Sequence, residues 1–182
     1  VHVVAKHYEA GSVAAMMVDA LEGAVAERLG KDASCAMPFV VTKVSDAHVG
    51  DVAYWTELSE KLGQGERVVS LLDLEDELRA QEGASFPHDT FALMQGLQAA
   101  AAKGALAEGV ELVSLTAALP EFHEAASLKG AALVGMTRVF ANECQSVHAG
   151  TLSLQDASEA TLARAADMLL NVRPDAVSYT HL

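Results

Sequence analysis

The sequence predicts an α/β domain, a single doubly wound sheet of about five parallel strands with helices on both faces. Short apolar segments of strand type alternate with longer segments whose apolar residues recur at helical spacing. The chain has 182 residues, of which 51 % are hydrophobic and 5 % aromatic, so it is long enough to bury one core built mainly from Ala, Val and Leu.

The predicted strands are residues 2–5, 38–44, 67–72, 110–115 and 150–154. Residues 38–44 form a nearly continuous apolar run, which predicts a strand that is covered on both faces. Each predicted strand is followed by a helical segment and not by a hairpin turn. We therefore expect parallel strands that are joined by right-handed crossovers.

The predicted helices are residues 12–29, 51–62, 88–103, 127–143 and 158–170. Ser12 is a suitable N-cap for the first helix. Trp55 and Leu58 are expected to face inward from the second, which follows a predicted loop at residues 46–50. In the fourth helix, helical spacing predicts one apolar stripe that contains Leu128, Ala132, Met136, Val139 and Phe140.

Residues 131–143, AALVGMTRVFANE, carry a family resemblance. They resemble the pattern AALxGLxRVxAxE of the structural, non-catalytic subdomain of polyketide synthase ketoreductases. The flanking strands, VELVSLT at 110–116 and LSLQD at 152–156, are similar to that family's strands. The resemblance is clearest over residues 67–170 and implies a Rossmann-like subdomain over residues 1–176.

The resemblance implies a role for the segment and partners for it. A structural subdomain would support a catalytic ketoreductase subdomain in cis, which would bind NADPH and reduce a β-ketoacyl chain on an acyl carrier protein of the same multienzyme. The segment itself would bind no cofactor.

The expected reductase chemistry is missing from the sequence. The first strand is followed by KHYEAGS at 6–12, which has one glycine instead of the glycine-rich turn that a dinucleotide requires. Short-chain reductases use a Tyr followed four residues later by Lys, and neither Tyr8 nor Tyr54 has that Lys. The helix from Ser127 carries Lys129 but no tyrosine. We therefore assign no catalytic and no cofactor-binding residue.

Metal and nucleophile motifs are also missing. The histidines at positions 2, 7, 48, 88, 123 and 148 show no metal-binding spacing, and no GxSxG elbow is present. Cys35 and Cys144 lack CxxC spacing, which favours two reduced thiols. Cys144 is expected to be inert because it lies near a helix C-terminus, where the dipole disfavours a thiolate.

Two groups of residues remain as candidates. Arg138 and Glu143, with Gly135, are interpreted as structural or interface residues at a subdomain seam, in preference to a phosphate-binding pair. The residues Glu121, His123 and Glu124 are the weaker candidates for a pocket, because they follow a strand's carboxyl end, where α/β proteins bind ligands.

The charge excludes one class of partner. A net charge of −13 argues against nucleic acid, because phosphates would be repelled. The absence of an apolar run of about 20 residues argues against a membrane span. We expect a cytoplasmic protein.

Residues 177–182, VSYTHL, differ in texture from the rest and match the translation of a transposase sequencing adapter. We interpret them as read-through, which would make the sequence an internal piece of a longer protein; a genuine polar C-terminus is the alternative.

Two other functions stay open. One is a free-standing α/β enzyme with its site at residues 121–124, and the other is a small-molecule-binding or receiver-like module.

Overall fold

The computed structural model describes residues 1–29, 40–74, 86–117 and 125–171, without the side chains of 28–29 and 125–128. Its strands are β1 (His2–Ala5), β2 (Val40–Lys43), β3 (Arg67–Ser70), β4 (Val110–Ala117) and β5 (Val147–Leu154). The helices in these ranges are α1 (Val13–Leu29), α2 (Asp46–Val49), α3 (Val52–Ser59), α4 (His88–Ala102), α5 (Ala125–Glu143) and α6 (Glu159–Asn171).

The five strands form one parallel sheet in the order β2-β1-β3-β4-β5. β1 lies between its two partners, with Val3 opposite Val41 of β2 and Val69 of β3. The predicted α/β, Rossmann-like fold with five parallel strands is confirmed. The strand order reverses at β1, so the chain winds outward from β1 in both directions.

Apolar side chains cover both faces of the sheet. On one face, Met17 and Leu21 of α1 and Leu162 of α6 pack with Val3 and Val69. On the other face, α3, α4 and α5 supply a second cluster that includes Trp55, Leu97 and Leu133 with Val4 and Leu112 of the sheet. Successive strand residues belong to opposite clusters, as the period of two requires.

Helices α3 and α4 approach each other closely at one glycine. A β-carbon added at Gly96 would stand 2.4 Å from Trp55 Cβ and 2.9 Å from the backbone nitrogen of Thr56. The Trp55 indole is fully buried, and its nitrogen donates to the carbonyl oxygen of Val49 at 2.7 Å. The prediction that Trp55 faces inward is confirmed.

The second strand differs from its prediction. β2 is an edge strand, and its residues are exposed or half-buried; Val40 is 44 % exposed. The prediction of a strand covered on both faces was therefore wrong. An apolar run alone does not distinguish an edge position from a central one.

Several helix and strand boundaries also differ. Residues 46–50 were predicted as a loop, but the short helix α2 occupies most of them, and α3 ends three residues before the predicted end at 62. β5 begins at Val147, three residues before the predicted start.

The buried side of α5 is rotated from the predicted stripe. Leu133 and Phe140 face the core, together with Thr137, whose hydroxyl donates to the carbonyl oxygen of Leu133 at 2.8 Å. Val139 was predicted to belong to the apolar stripe but is 55 % exposed. Because the buried Thr137 satisfies its own hydroxyl within the helix, a polar residue can occupy the inward side.

Candidate functional site

The site to consider is the carboxyl edge of the sheet beside β1. In open α/β sheets, ligands bind outside the carboxyl ends of the strands at the point where the strand order reverses. Here that point lies between β1 and β3. Lys6 is the first residue after β1, and Asp73 follows the end of β3 by three residues.

Asp73 is a buried carboxylate that caps a distant helix. Its side chain is 1 % exposed, and its Oδ2 accepts a hydrogen bond from the backbone nitrogen of Thr90 at 3.1 Å. Thr90 is in the first turn of α4, whose backbone N–H groups have no partner within the helix. Pro87, at the N-cap position of α4, makes no side-chain capping bond. Asp73, three residues after the end of β3, therefore supplies the cap that the local sequence lacks.

Lys129 of α5 lies against the same carboxylate. Its ammonium nitrogen is 3.0 Å from Asp73 Oδ1, and its side chain is 7 % exposed. Asp73 Oδ1 makes no hydrogen bond within the described residues, but Coulomb attraction at 3.0 Å does not require hydrogen-bond geometry, so we treat the contact as an ion pair. Asp73 thus joins β3, α4 and α5.

A second ion pair lies beside β1. Lys6, the first residue after β1, is 2.7 Å from Asp89 of α4, and the two side chains are 11 % and 18 % exposed. We call Lys6, Asp73, Asp89, Thr90 and Lys129 the carboxyl-edge cluster. Its two cations and two anions balance, as buried charges must.

Hydroxyl groups continue this polar region across the sheet. Ser70 Oγ of β3 is 3.4 Å from the hydroxyl of Thr90. Ser114 stands opposite Ser70 in the register of β3 and β4 and is fully buried. Its hydroxyl makes no hydrogen bond within the described residues.

In the turn between β1 and α1, the side chain of Ser12 binds backbone N–H groups of the turn and of the first turn of α1. Ser12 is the N-cap, as predicted, and its hydroxyl accepts from the backbone nitrogens of Ala15 at 3.1 Å and Glu9 at 3.3 Å. The one glycine of the turn, Gly11, has a φ of +82°. The exposed carboxylate of Glu9 lies in this turn.

The predicted interface residues lie on α5. Arg138 and Glu143 are exposed, and Glu143 is the last residue of the helix. Gly135 is exposed too, and a β-carbon there would touch nothing within 4 Å. No described residue packs closely against Gly135, so the prediction that a neighbouring backbone approaches it now concerns a partner.

The predicted pocket residues Glu121, His123 and Glu124 lie outside the described residues, as do residues 177–182. Three members of the carboxyl-edge cluster, Asp73, Asp89 and Lys6, were not among the site residues predicted from the sequence. One available signal was the position of Asp73 directly after the strand predicted at residues 67–72, and the presence of Lys129 on α5 was noted without its partner.

Cys144 is buried one residue after the end of α5. Burial raises the pKa of its thiol, although the backbone groups of Ser146 and Val147 oppose the shift. Within the described residues, no group of three or more His, Cys, Asp or Glu side chains is arranged to hold a metal ion. No helix in those ranges is long and apolar enough to cross a membrane.

The fold is similar to those of solved reductases. The first ketoreductase of the tylosin polyketide synthase matches with a TM-score of 0.56 and 24 % identity over 93 % of this chain and 34 % of that chain. A small-chain dehydrogenase in complex with NADPH matches with a TM-score of 0.58 and 12 % identity, over 100 % of this chain and 95 % of that one. The enoyl-[acyl-carrier-protein] reductase of Aquifex aeolicus matches with a TM-score of 0.58 and 13 % identity, over 99 % and 93 %.

The chain has the fold of these reductases. No protein-family profile and no curated protein sequence matches it. At these identities the likeness shows the short-chain dehydrogenase/reductase-like fold, and the chemistry at the carboxyl edge must be argued from the residues there.

Proposed function

We propose that this chain is the non-catalytic structural subdomain of a ketoreductase in a modular polyketide or fatty acid synthase, in the cytoplasm. The observation that carries the proposal is the carboxyl-edge cluster. The place where this fold binds ligands holds charges that pair with one another, and Lys129, the lysine of α5, is 3.0 Å from Asp73. The position four residues before Lys129, where a reductase would carry its tyrosine, is Ala125.

The β1–α1 turn fits a dinucleotide poorly. A pyrophosphate would need free backbone N–H groups at the start of α1, but the Ser12 hydroxyl already accepts from Ala15. The Glu9 carboxylate in the same turn would repel a phosphate. We therefore assign NADPH to the catalytic subdomain and derive no chemical step in this one.

The outer side of α5 supports an interface with that catalytic subdomain in cis. Gly135, Arg138 and Val139 are exposed there, and the space at Gly135 is open to a neighbouring backbone. The similarity to the tylosin ketoreductase extends over only 34 % of that longer chain, which leaves room in such a protein for a catalytic part. The acyl carrier protein would then meet the catalytic subdomain.

In this role the segment acts at a distance from the reaction. By covering a face of the catalytic subdomain, it would hold the active site of its partner in a fixed shape. Preorganisation of this kind comes from packing outside the site.

The experiment is a reconstitution. The 182-residue chain is assayed for NADPH binding by fluorescence and for reduction of a β-ketoacyl thioester, alone and coexpressed with the catalytic ketoreductase subdomain encoded beside it. We expect no binding and no turnover from the chain alone, and copurification with turnover from the pair. Tight NADPH binding or ketone reduction by the chain alone would contradict the proposal.

A matched pair of variants tests the interface. Gly135→Arg places a large side chain on the outer side of α5, and Gly23→Arg does the same on exposed α1; neither added β-carbon meets an atom within 4 Å. We expect Gly135→Arg to abolish copurification and Gly23→Arg to preserve it, with the melting temperature of the chain lowered in neither, because arginine favours a helix more than glycine does. Equal copurification of both variants would exclude α5 as the interface.

A further inference from the structure

A long groove runs between α1 and α6, on the face of the sheet opposite α3, α4 and α5. Its volume is about 1190 Å³, and it is open to solvent on its outer side. It is remote from the carboxyl-edge cluster, which involves α4 and α5. We call it the α1/α6 groove.

The floor of the α1/α6 groove is apolar. It is formed by the half-buried side chains of Met16, Ala20, Ala24 and Met168 together with the buried Leu162. The two methionines lie on opposite helices. Thioether side chains are flexible and polarisable, so such a floor can adapt to more than one apolar partner surface.

The rim of the groove is acidic on both sides. Asp19 and Glu27 of α1 and Glu159 and Asp167 of α6 line it, and Arg164 is the one cation among its lining residues. All five side chains are exposed. An apolar floor between two acidic rims complements a ligand with an apolar side and positive charges on both flanks.

The dimensions favour a helix as that ligand. From Met16 to Glu27 the groove follows α1 for about three turns, or roughly 17 Å. A helix of that length is about 10 Å across with its side chains, and one of its sides could lie along the floor between α1 and α6.

We infer that the α1/α6 groove is a docking site for a cationic amphipathic helix of about three turns, supplied by another protein. Its apolar side would lie on the methionine-lined floor, and its Lys or Arg residues would reach the two rims. This mode of recognition places anchors at helical spacing into an apolar groove. The inference does not depend on the proposed structural role, because it uses a different face of the sheet.

The probe is a labelled 12-residue peptide of Leu and Lys in an amphipathic helical pattern, and the control peptide carries Glu at every Lys. Anisotropy is measured with the full 182-residue chain. We expect micromolar binding of the cationic peptide and at least tenfold weaker binding of the acidic one. We expect affinity for the cationic peptide to fall at least tenfold in the double variant Asp19→Lys/Glu27→Lys.

Net charge is controlled by a second double variant. Glu57→Lys/Glu108→Lys changes the charge by the same amount at exposed positions outside the groove lining. We expect its affinity to fall less than threefold. Equal losses in the two double variants would show that the peptide only follows the overall charge, which would overturn the inference.

Filling the groove gives a test that leaves charge unchanged. Gly23 lines the groove, and a β-carbon there meets no atom within 4 Å, so Gly23→Leu can fold and occupy the space. Gly135→Leu on α5 is the matched control, with equally open surroundings. We expect at least tenfold weaker peptide binding in the first variant only.

Three further results would overturn the inference: no binding of the cationic peptide, equal binding by the two leucine variants, or self-association of the chain that Gly23→Leu abolishes. The last would assign the groove to a second copy of this chain. Circular dichroism of each variant confirms that a loss of binding is not a loss of fold.

Discussion

Asp73 is the residue on which three elements converge. It follows β3, caps α4 through the nitrogen of Thr90 and pairs with Lys129 of α5. Each of these contacts spans a long stretch of chain, so no local pattern predicts them. From the sequence, Lys129 was noted only as a lysine on a helix that has no tyrosine, because the partner of a buried lysine becomes known only when the strands are in register.

Lys129→Met should destabilise the fold strongly. It removes the cation 3.0 Å from a carboxylate that is 1 % exposed, and removing one partner of a buried pair costs about 3–5 kcal/mol. The measurement is the free energy of unfolding in urea. The double variant Asp73→Leu/Lys129→Met should regain part of the loss, because no unpaired charge then stays buried.

Lys103→Met is the control for this prediction. Lys103 pairs with Glu60 at 2.9 Å, but its side chain is 60 % exposed, and exposed pairs contribute about 0–1 kcal/mol. Similar losses of unfolding free energy in the Lys103 and Lys129 variants would show that the buried pair does not stabilise the fold more than the exposed pair does.

Asp156, which lies just before α6, has a lowered pKa that can be measured by titration. Hydrogen bonds from the Ser158 hydroxyl, the Thr161 side chain and the Ser158 backbone nitrogen lower the pKa of Asp156 from 3.8 to about 2. Since the folded pKa lies below the unfolded one, the stabilisation is present above about pH 4 and is lost as the pH falls through about 2.

Ser158→Ala should raise the pKa of Asp156 back towards 3.8, because it removes the donor with the largest effect. The measurement is carboxyl carbon NMR between pH 1.5 and pH 6, with the urea-unfolded protein as the reference. The same variant removes the hydroxyl that accepts from the nitrogen of Thr161, so it should also cost about 1 kcal/mol of stability. A pKa that stays at about 2 would show that Ser158 is not the cause.

At the scale of elements, all five strands and the five longer helices were predicted, and the short helix α2 was missed. Four residues of β1 and most of β4 follow from apolar β-branched runs, whereas α2 at residues 46–49 has no apolar periodicity long enough to be detected. The buried side of α5 was misjudged because Thr137 and Lys129 occupy inward positions through bonds to the Leu133 carbonyl and Asp73. A hydropathy pattern does not show which polar side chains are buried by a hydrogen bond or an ion pair.

Two helix glycines should respond oppositely to alanine. At Gly96, the new methyl group would stand 2.4 Å from Trp55 Cβ, so α3 and α4 must separate, and we expect a loss of at least about 2 kcal/mol. At Gly135 nothing lies within 4 Å, so we expect a gain of up to about 1 kcal/mol from helix propensity.

Thermal and urea unfolding of Gly96→Ala and Gly135→Ala check this contrast. The two changes are chemically identical, so the difference reports the surroundings alone. A stabilised Gly96→Ala would mean that the helices do not cross as closely as described. A destabilised Gly135→Ala would mean that the outer side of α5 is covered within the chain.

At the scale of the whole molecule, protection from solvent should fall from the centre of the sheet to its β2 edge. β3 and β4 have a strand on both sides, and most of their residues are buried, whereas β2 is an exposed edge. In native-state hydrogen exchange, we expect amides of β3 and β4 to exchange only through global unfolding and those of β2 through local opening. Equal protection of β2 and β3 would contradict this description.

The fold class, the number of strands and their parallel direction could be predicted from the sequence, because they depend on the alternation of strand and helix segments. The strand order could not, since residues 38–44 are as apolar as a central strand and yet form an edge. The carboxyl-edge cluster could not be predicted for the same reason, because Lys6, Asp89 and Asp73 meet only through that order.

The central place of β1 has a consequence for synthesis on the ribosome. Of these five strands, β1 is translated before the others, yet it needs two neighbours, β2 and β3, and the second of these is complete only at Ser70. Until then a nascent chain exposes one bare edge of β1. Once that edge is filled, β4 and β5 add in the order in which they are translated, so the sheet grows outward on one side only.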